Sequence, residues 1–271
     1  MKIFMGIIAI FLSTTCCAYT EIKQCFVKPT MREDGQPILY ELNTACIMPH
    51  IVDVLLMEDE KQIGALPHVV ALADGALLGR DGQEIFATGI QDNRYTSFSF
   101  VTAYQKVKDP TSGKSLGIQL EITGSAELLS LGEVQRLIIK ESSGAIGSGF
   151  RLVPRKALNL PSTLYGVKPD NKLLGSIIGM HNYQTIGGNP GVVSVNLGLK
   201  DGLKVGDVLE IYSQPKFTLD PYLKKAVKLP GLKRAEVVIY KTALRVSLGL
   251  VVEGFGVIDK FDEVVSFGDR T

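Results

Sequence analysis

Residues able to do proton-transfer or metal chemistry are sparse in this chain. Its three histidines, His50, His68 and His181, stand neither at the spacing of a metal-ligand pair nor in a triad pattern with a nearby nucleophile. His50 precedes an amphipathic stretch and His68 follows Pro67 at the start of an alternating run, places that suit hydrogen-bonded structural residues. Carboxylates are available at Glu41, Asp53, Glu58, Asp59, Glu60, Glu121, Glu127 and Glu133. No local pattern sets two of them in environments that would drive their pKa values apart, as paired acid–base work requires. Ser142-Ser143-Gly144 and Gly147-Ser148-Gly149 miss both the GxSxG elbow and the Walker spacing, and their context is sheet to sheet, so they read as hairpin tips. The expectation is a protein with no catalytic residues, no metal and no cofactor.

Two residue groups carry other chemistry. Cys25 and Cys46 lack His or Cys partners at ligand spacing, and in an oxidising compartment they should pair as a disulfide. A closed loop of about 20 residues would contribute roughly 3 kcal/mol through chain entropy. Lys224, Lys225, Lys228, Lys233 and Arg234 form a basic cluster along a hairpin. An anionic phospholipid, glycolipid or wall polymer would be attracted to it; lysines guarding a sheet edge against aggregation give the same pattern.

The compartment follows from the first residues. MKIFMGIIAIFLSTTCCA has one basic residue, an apolar run from Ile3 to Leu12, and small residues before a cut after Ala18, the pattern of a signal peptide over 1–18. Ser13, Thr14 and Thr15 before Cys16 fit a lipidation signal poorly. No later stretch approaches the roughly 20 apolar residues of a membrane helix. The whole chain has 29 basic and 28 acidic residues, and loss of Lys2 with the signal balances them. A neutral chain argues against nucleic acid as a partner.

The elements that must position these residues are β-strands. In Gly198–Tyr212, GLKDGLKVGDVLEIY, the turn-forming residues Gly198, Gly202, Gly206 and Asp207 run into a strand. Val208, Glu210 and Tyr212 share one face of it, and Leu209 and Ile211 the other. Strands are also predicted at 68–72, 84–88, 96–103, 118–123, 127–131, 134–141 and 150–153, and then at 174–180, 192–196, 208–213, 235–242, 245–253 and 263–267. Over 95–101, Phe98 and Phe100 alternate with serines, which predicts a buried Phe face. Ile51–Ile63 has a short helical pattern. The predicted order is an arm with a short helix over 19–63, a β-domain over 64–153, a proline-punctuated linker over 154–171, and a second β-domain over 172–271. The fold class is mainly β, with two small barrel- or sandwich-like domains.

The halves also echo one another. Val101–Tyr104, Asp109-Pro110, Ala126-Glu127-Leu128 and Glu141–Gly144 recur in order as Leu209–Tyr212, Asp220-Pro221, Ala235-Glu236-Val237 and Val246–Gly249. This points to a duplicated module of a strand ending in Tyr, a DP hairpin and two further strands. Tyr104, Asp109 and Pro110 in one copy, and Tyr212, Asp220 and Pro221 with the basic cluster in the other, are the candidate interaction surface, open to added strands or loops from a neighbour.

The runs LPHVVALADGALLGRDGQEIFATGI, KDPTSGKSLG, AEL and FRLVP, followed by GVVSVNLGLKDGLKVGDVLEIY, KLP and VSLGLVVE, resemble the body of Gram-negative LysM-domain-containing, peptidoglycan-binding envelope proteins. The likeness spans about Leu66 to Phe267, and its second half is similar to the carboxy-terminal β-domain of flagellar assembly protein T. No GDTL-type LysM opening stands before it, so glycan binding does not carry over. The resemblance implies a structural or scaffolding role in a periplasmic assembly at the outer membrane, among other envelope-complex subunits. The combined architecture, a body of this kind without the glycan-binding module, also resembles an accessory subunit of the outer-membrane core complex of a type IVB (Dot/Icm-type) secretion system. The alternative is a peptidoglycan-associated binding protein without a LysM module. The absence of Trp argues against a stacking carbohydrate cleft, and an envelope hydrolase is the third reading.

Overall fold

The computed structural model describes residues 25–27, 37–51, 54–57, 59–155, 158, 160–181 and 191–269; the segment read as a signal peptide lies outside them. In chain order, β1 (Phe26–Val27) and β2 (Ile38–Asn43) are followed by a four-residue helix, α1 (Thr44–Ile47), a 3-10 turn over Met48–His50, β3 (Val54–Met57) and α2 (Glu60–Gly64). The helical pattern over 51–63 is thus only partly realised. Val54–Met57 is a strand because its backbone pairs with residues 118–121 of the first barrel, from Val54 opposite Glu121 to Met57 opposite Ile118. Helix begins where Asp59 accepts the Lys61 N–H as its N-cap.

The first barrel comprises β4 (His68–Leu72), β5 (Leu78–Gly79), β6 (Glu84–Thr88), β7 (Ser97–Lys108), β8 (Ser115–Ser130), β9 (Gln135–Ser142), β10 (Ile146–Gly147) and β11 (Arg151–Pro154). Its wall runs β8-β7-β11-β4-β6-β9 and closes through β8–β9, with β3 added outside β8. Closure removes the sheet edges that a small open sheet would expose. The interior holds Val69, Ile85, Phe98, Phe100, Leu137 and Leu152, so the Phe face is buried as its alternation predicts. The predicted break between 123 and 127 is absent: β8 runs unbroken for 16 residues. Gly124 lies so close to β9 that a Cβ there would meet the Glu141 carbonyl at 2.4 Å. The glycine marks a close backbone approach, not a turn.

The chain then forms β12 (Thr163–Val167), a strand within the stretch read as linker, before the second barrel: β13 (Leu174–His181), β14 (Val192–Val195), β15 (Val208–Tyr212), the hairpin β16 (Lys216–Leu219) and β17 (Ala226–Leu229), β18 (Lys233–Thr242), β19 (Ser247–Gly254) and β20 (Glu263–Ser266). Its closed wall runs β13-β14-β19-β18-β15-β20. Ile177, Val193, Leu209, Ile211, Val237 and Val264 fill it.

Numbering the six wall strands of each barrel in chain order gives one circular order for both, 1-2-5-4-3-6, with every neighbouring pair antiparallel. The protein is one module built twice. The register refines the echo between the halves. Ala126 lies opposite Phe98 as Ala235 lies opposite Ile211, and Glu127 opposite Ser97 as Glu236 opposite Glu210. The AEL and AEV strands and the DP hairpins are therefore equivalent. Tyr104 and Tyr212 are not: Tyr104 lies beyond the barrel, along the extended hairpin. Nor are 141–144 and 246–249, which fall at the end of β9 and the start of β19.

The arm folds onto the second barrel. β2 pairs with β1 and β12 as a three-stranded sheet, and a disulfide joins Cys25 to Cys46 with a Cα–Cα distance of 5.5 Å. Tyr40, Leu42, Ile47 and Leu164 of this layer pack on Val208, Val238, Tyr240 and Leu250, which point outward from the barrel. The glycine turns before β15 complete the attachment. Gly202 and Gly206 have φ of 85° and 97°, and Asp207 accepts the Lys204 N–H at 2.7 Å. Val167 of β12 donates to the Gly206 carbonyl. Gly198 has an extended φ; glycine is needed there for space, since a Cβ would meet the Ala243 carbonyl at 2.5 Å.

Candidate interaction surface

The two DP hairpins share one turn. In the first, the Asp109 side chain accepts the N–H groups of Thr111 and Ser112, its carbonyl accepts from Gly113, and its N–H donates to Lys114. In the second, Asp220 accepts from Tyr222 and Leu223, its carbonyl accepts from Lys224, and its N–H donates to Lys225. Pro110 and Pro221 occupy the position after the aspartate in each, where the fixed φ suits the first turn residue. The left-handed position is Gly113 at φ 67° in one and Lys224 at φ 52° in the other.

The surroundings of the two hairpins differ. The first is continuous with β7 and β8 and lies against the second barrel. Val107 and Leu116 pack on Ile178 of β13 and Val246 in the β18–β19 turn. Asn196, after β14, donates to Asp109 at 2.7 Å. The Ser112 N–H, then this amide, hold the Asp109 carboxyl below the usual carboxylate range, against some loss of solvation. Arg245 donates to the Ser115 carbonyl at 3.3 Å. Gln119 lies 3.2 Å from His181 Nε2, which also meets Ser194 Oγ at 2.9 Å. Burial draws the His181 pKa down, with the Glu121 charge opposing it less strongly.

The second hairpin, β16–β17, forms a two-stranded sheet of its own, and all eight strand residues are exposed. Its apolar side chains are large: Phe217 is 74% exposed, Tyr222 91%, and Leu219, Leu223, Val227 and Leu229 are exposed as well. Lys224, Lys225 and Lys228 stand on the same element. An isolated two-stranded hairpin is marginal in water, and a contiguous exposed apolar patch on a closed domain marks a contact surface.

Lys233 and Arg234, read with that basic cluster, belong instead to the barrel strand β18. Lys233 lies along the covered outer face of the barrel and donates to Glu210 and Glu236, both at 2.5 Å, and its ammonium lies 5.4 Å from the ring centres of Phe255 and Phe267. Glu210, Glu236 and Glu253 stand side by side on adjacent strands. Tyr40 of the arm covers this row, donating to Glu236 and to Glu253 at 3.0 Å. Tyr212 donates to Glu210 at 3.2 Å. Burial lowers the Lys233 pKa, but Glu210 and Glu236 outweigh it and the net shift is upward. Burial, then Glu236 and Glu253, push the Tyr40 hydroxyl far above its usual value. The Tyr40 phenol, bridging Glu236 and Glu253, keys the arm to the barrel, and Lys233 neutralises the row beneath it from within the barrel.

This row is absent from the carboxylates singled out in the sequence, since each glutamate sits alone among apolar residues and only strand pairing aligns them. The one available signal was Lys233-x-x-Glu236 beside LEIY. The other candidate groups stay apart. His68 pairs in backbone register with Thr88 and Arg151. Ser142 Oγ donates to Asp81 at 2.6 Å and Ser143 Oγ to the Thr123 carbonyl, with no imidazole among the described bonds of either. Among the described residues, no three His, Cys, Asp or Glu side chains gather as metal ligands, and no helix is long and apolar enough to cross a membrane. No protein-family model and no curated protein matches the sequence.

Proposed function

We propose that this protein is a non-catalytic structural component of a large cell-envelope assembly, working in the periplasm at the outer-membrane side, as the accessory subunits of a type IVB secretion core complex do. One observation carries the reading: a closed barrel holds out an apolar hairpin, β16–β17, whose eight strand residues are all exposed among the described residues. Retaining Phe217, Leu219, Tyr222 and Leu229 in water is unfavourable unless a partner covers them. The disulfide supports an oxidising compartment. The resemblance over Leu66–Phe267 supports the envelope. The exposed lysines on the same hairpin favour a second reading, association with anionic wall polymer.

Gentle detergent extraction of envelopes carrying the tagged protein separates the two. A large particle with partners at fixed stoichiometry is the expected result, and Phe217→Asp with Leu219→Asp should release the protein from it. A free species after extraction, together with sedimentation of the untreated protein with purified sacculi, would replace the scaffold reading with wall binding.

A further inference from the structure

We infer that the partner of the β16–β17 hairpin is the first barrel of a second copy of this chain, joined head to tail. The inference rests on the hairpins being contact surfaces, and it names what one of them contacts. Within one chain, the hairpin of barrel 1 already docks on barrel 2. It buries Val246 of the β18–β19 turn to 2% exposure, with Val107 and Leu116 against it, and its tip aspartate takes the Asn196 amide. Because the two barrels share one strand order, the positions of both halves of that contact occur again in the chain, and there the described apolar residues are exposed: Val70 at the place of Ile178, Val134 at that of Val246 and Val227 at that of Leu116.

The hairpin half is β16–β17. Aligning the two DP turns residue by residue puts Asp220 at the place of Asp109, Val227 at that of Leu116 and Thr218 at that of Val107, with Leu229 beside Val227 on the same face. The receiving half is the β8–β9 turn of barrel 1, the counterpart of the β18–β19 turn. There Leu131 is 44% and Val134 48% exposed, with Leu129 and Tyr95 also exposed. Glu133, exposed between Leu131 and Val134, faces a hairpin that carries Lys224, Lys225 and Lys228, so the charges are complementary. The hairpin of one copy and the turn of the next are different surfaces. Such a heterologous contact builds a ring where the rotation closes and a filament where it does not.

Sedimentation velocity of the purified mature protein over a wide concentration range tests this, with a hairpin variant on the docking face (Val227→Glu with Leu229→Glu) and a turn variant (Leu131→Glu with Val134→Glu). All four positions are exposed, and unchanged circular dichroism and melting would verify folding. The wild type is expected to grow past a dimer with concentration, and each variant alone to remain a monomer. An equimolar mixture of the two should form a dimer and nothing larger, because each pair retains one intact hairpin and one intact turn. A turn variant that still dimerises would overturn the inference in favour of hairpin-to-hairpin pairing. A wild type that stays monomeric throughout, while the hairpin variant is lost from the extracted envelope particle, would overturn the second-copy partner and leave the scaffold reading standing. Monomeric wild type with no loss of the hairpin variant from the particle would overturn both.

Discussion

The two barrels share a topology and differ in what covers their outer faces. At equivalent places, Glu127 of barrel 1 and Glu236 of barrel 2 are both the glutamate of an Ala-Glu strand. Glu127 makes a solvent-exposed pair with Lys140 at 2.9 Å, whereas Glu236 lies beneath Tyr40 and shares Lys233 with Glu210. The module tolerates either outcome because its core faces inward. The outer wall is free to become a surface, an arm-binding face or a docking site, and duplication lets the two copies diverge there without disturbing the barrel.

This contrast can be broken most sharply at the lysines. Lys233→Met leaves Glu210 and Glu236 buried without their cation and should cost about 3 kcal/mol. Lys140→Met removes an exposed partner and should cost under about 1 kcal/mol. Urea unfolding of both variants checks the difference, and equal losses would mean that Glu236 is as solvated as Glu127. Replacing Cys25 and Cys46 by Ser should cost roughly 3 kcal/mol by freeing the loop they close. The loss should appear as faster amide exchange in β1, β2 and β12, leaving barrel 1 unaffected.

The turn exchange is a smaller effect. Gly113→Lys puts a side chain at φ 67° and should cost about 1 kcal/mol, while Lys224→Gly relieves φ 52° and should gain up to about 1 kcal/mol locally. Amide exchange within each hairpin reads both, and no change at Lys224→Gly would show that this turn is not a source of strain. The smallest effect is that of His181. Its pKa is lowered on folding, so the unfolded chain binds the proton more readily. Its contribution to stability is complete above the unfolded value of about 6.5, declines as pH falls through it, and levels off below the folded value. Thermal melts between neutral and mildly acidic pH should show that decline, and His181→Gln should remove its share; an unaltered slope would assign the effect to other groups.

How much of this was legible beforehand depended on the range of the interactions. The boundaries of β4 and β6, the DP turns, the disulfide and the doubled module could all be read from sequence, because alternation, turn chemistry and order along the chain are local properties. Val208, Glu210 and Tyr212 share one face, as their alternation predicts. That this face points away from the barrel and is nevertheless buried followed only from the arm folding over it. The helical pattern over 51–63 hides the strand at 54–57, because four residues carry too little periodicity to reveal pairing with a distant partner. Spacing along the sequence groups Lys233 with the exposed lysines, because charge alone does not reveal which strand face a residue occupies. The docking of one DP hairpin and the exposure of the other are equally invisible in two segments with the same turn. Most barrel strands, the DP and glycine turns and the repeat are written in local pattern. The tertiary structure decided which outward-facing residues are buried, because an antiparallel strand has the same alternation whether solvent or another layer lies against it.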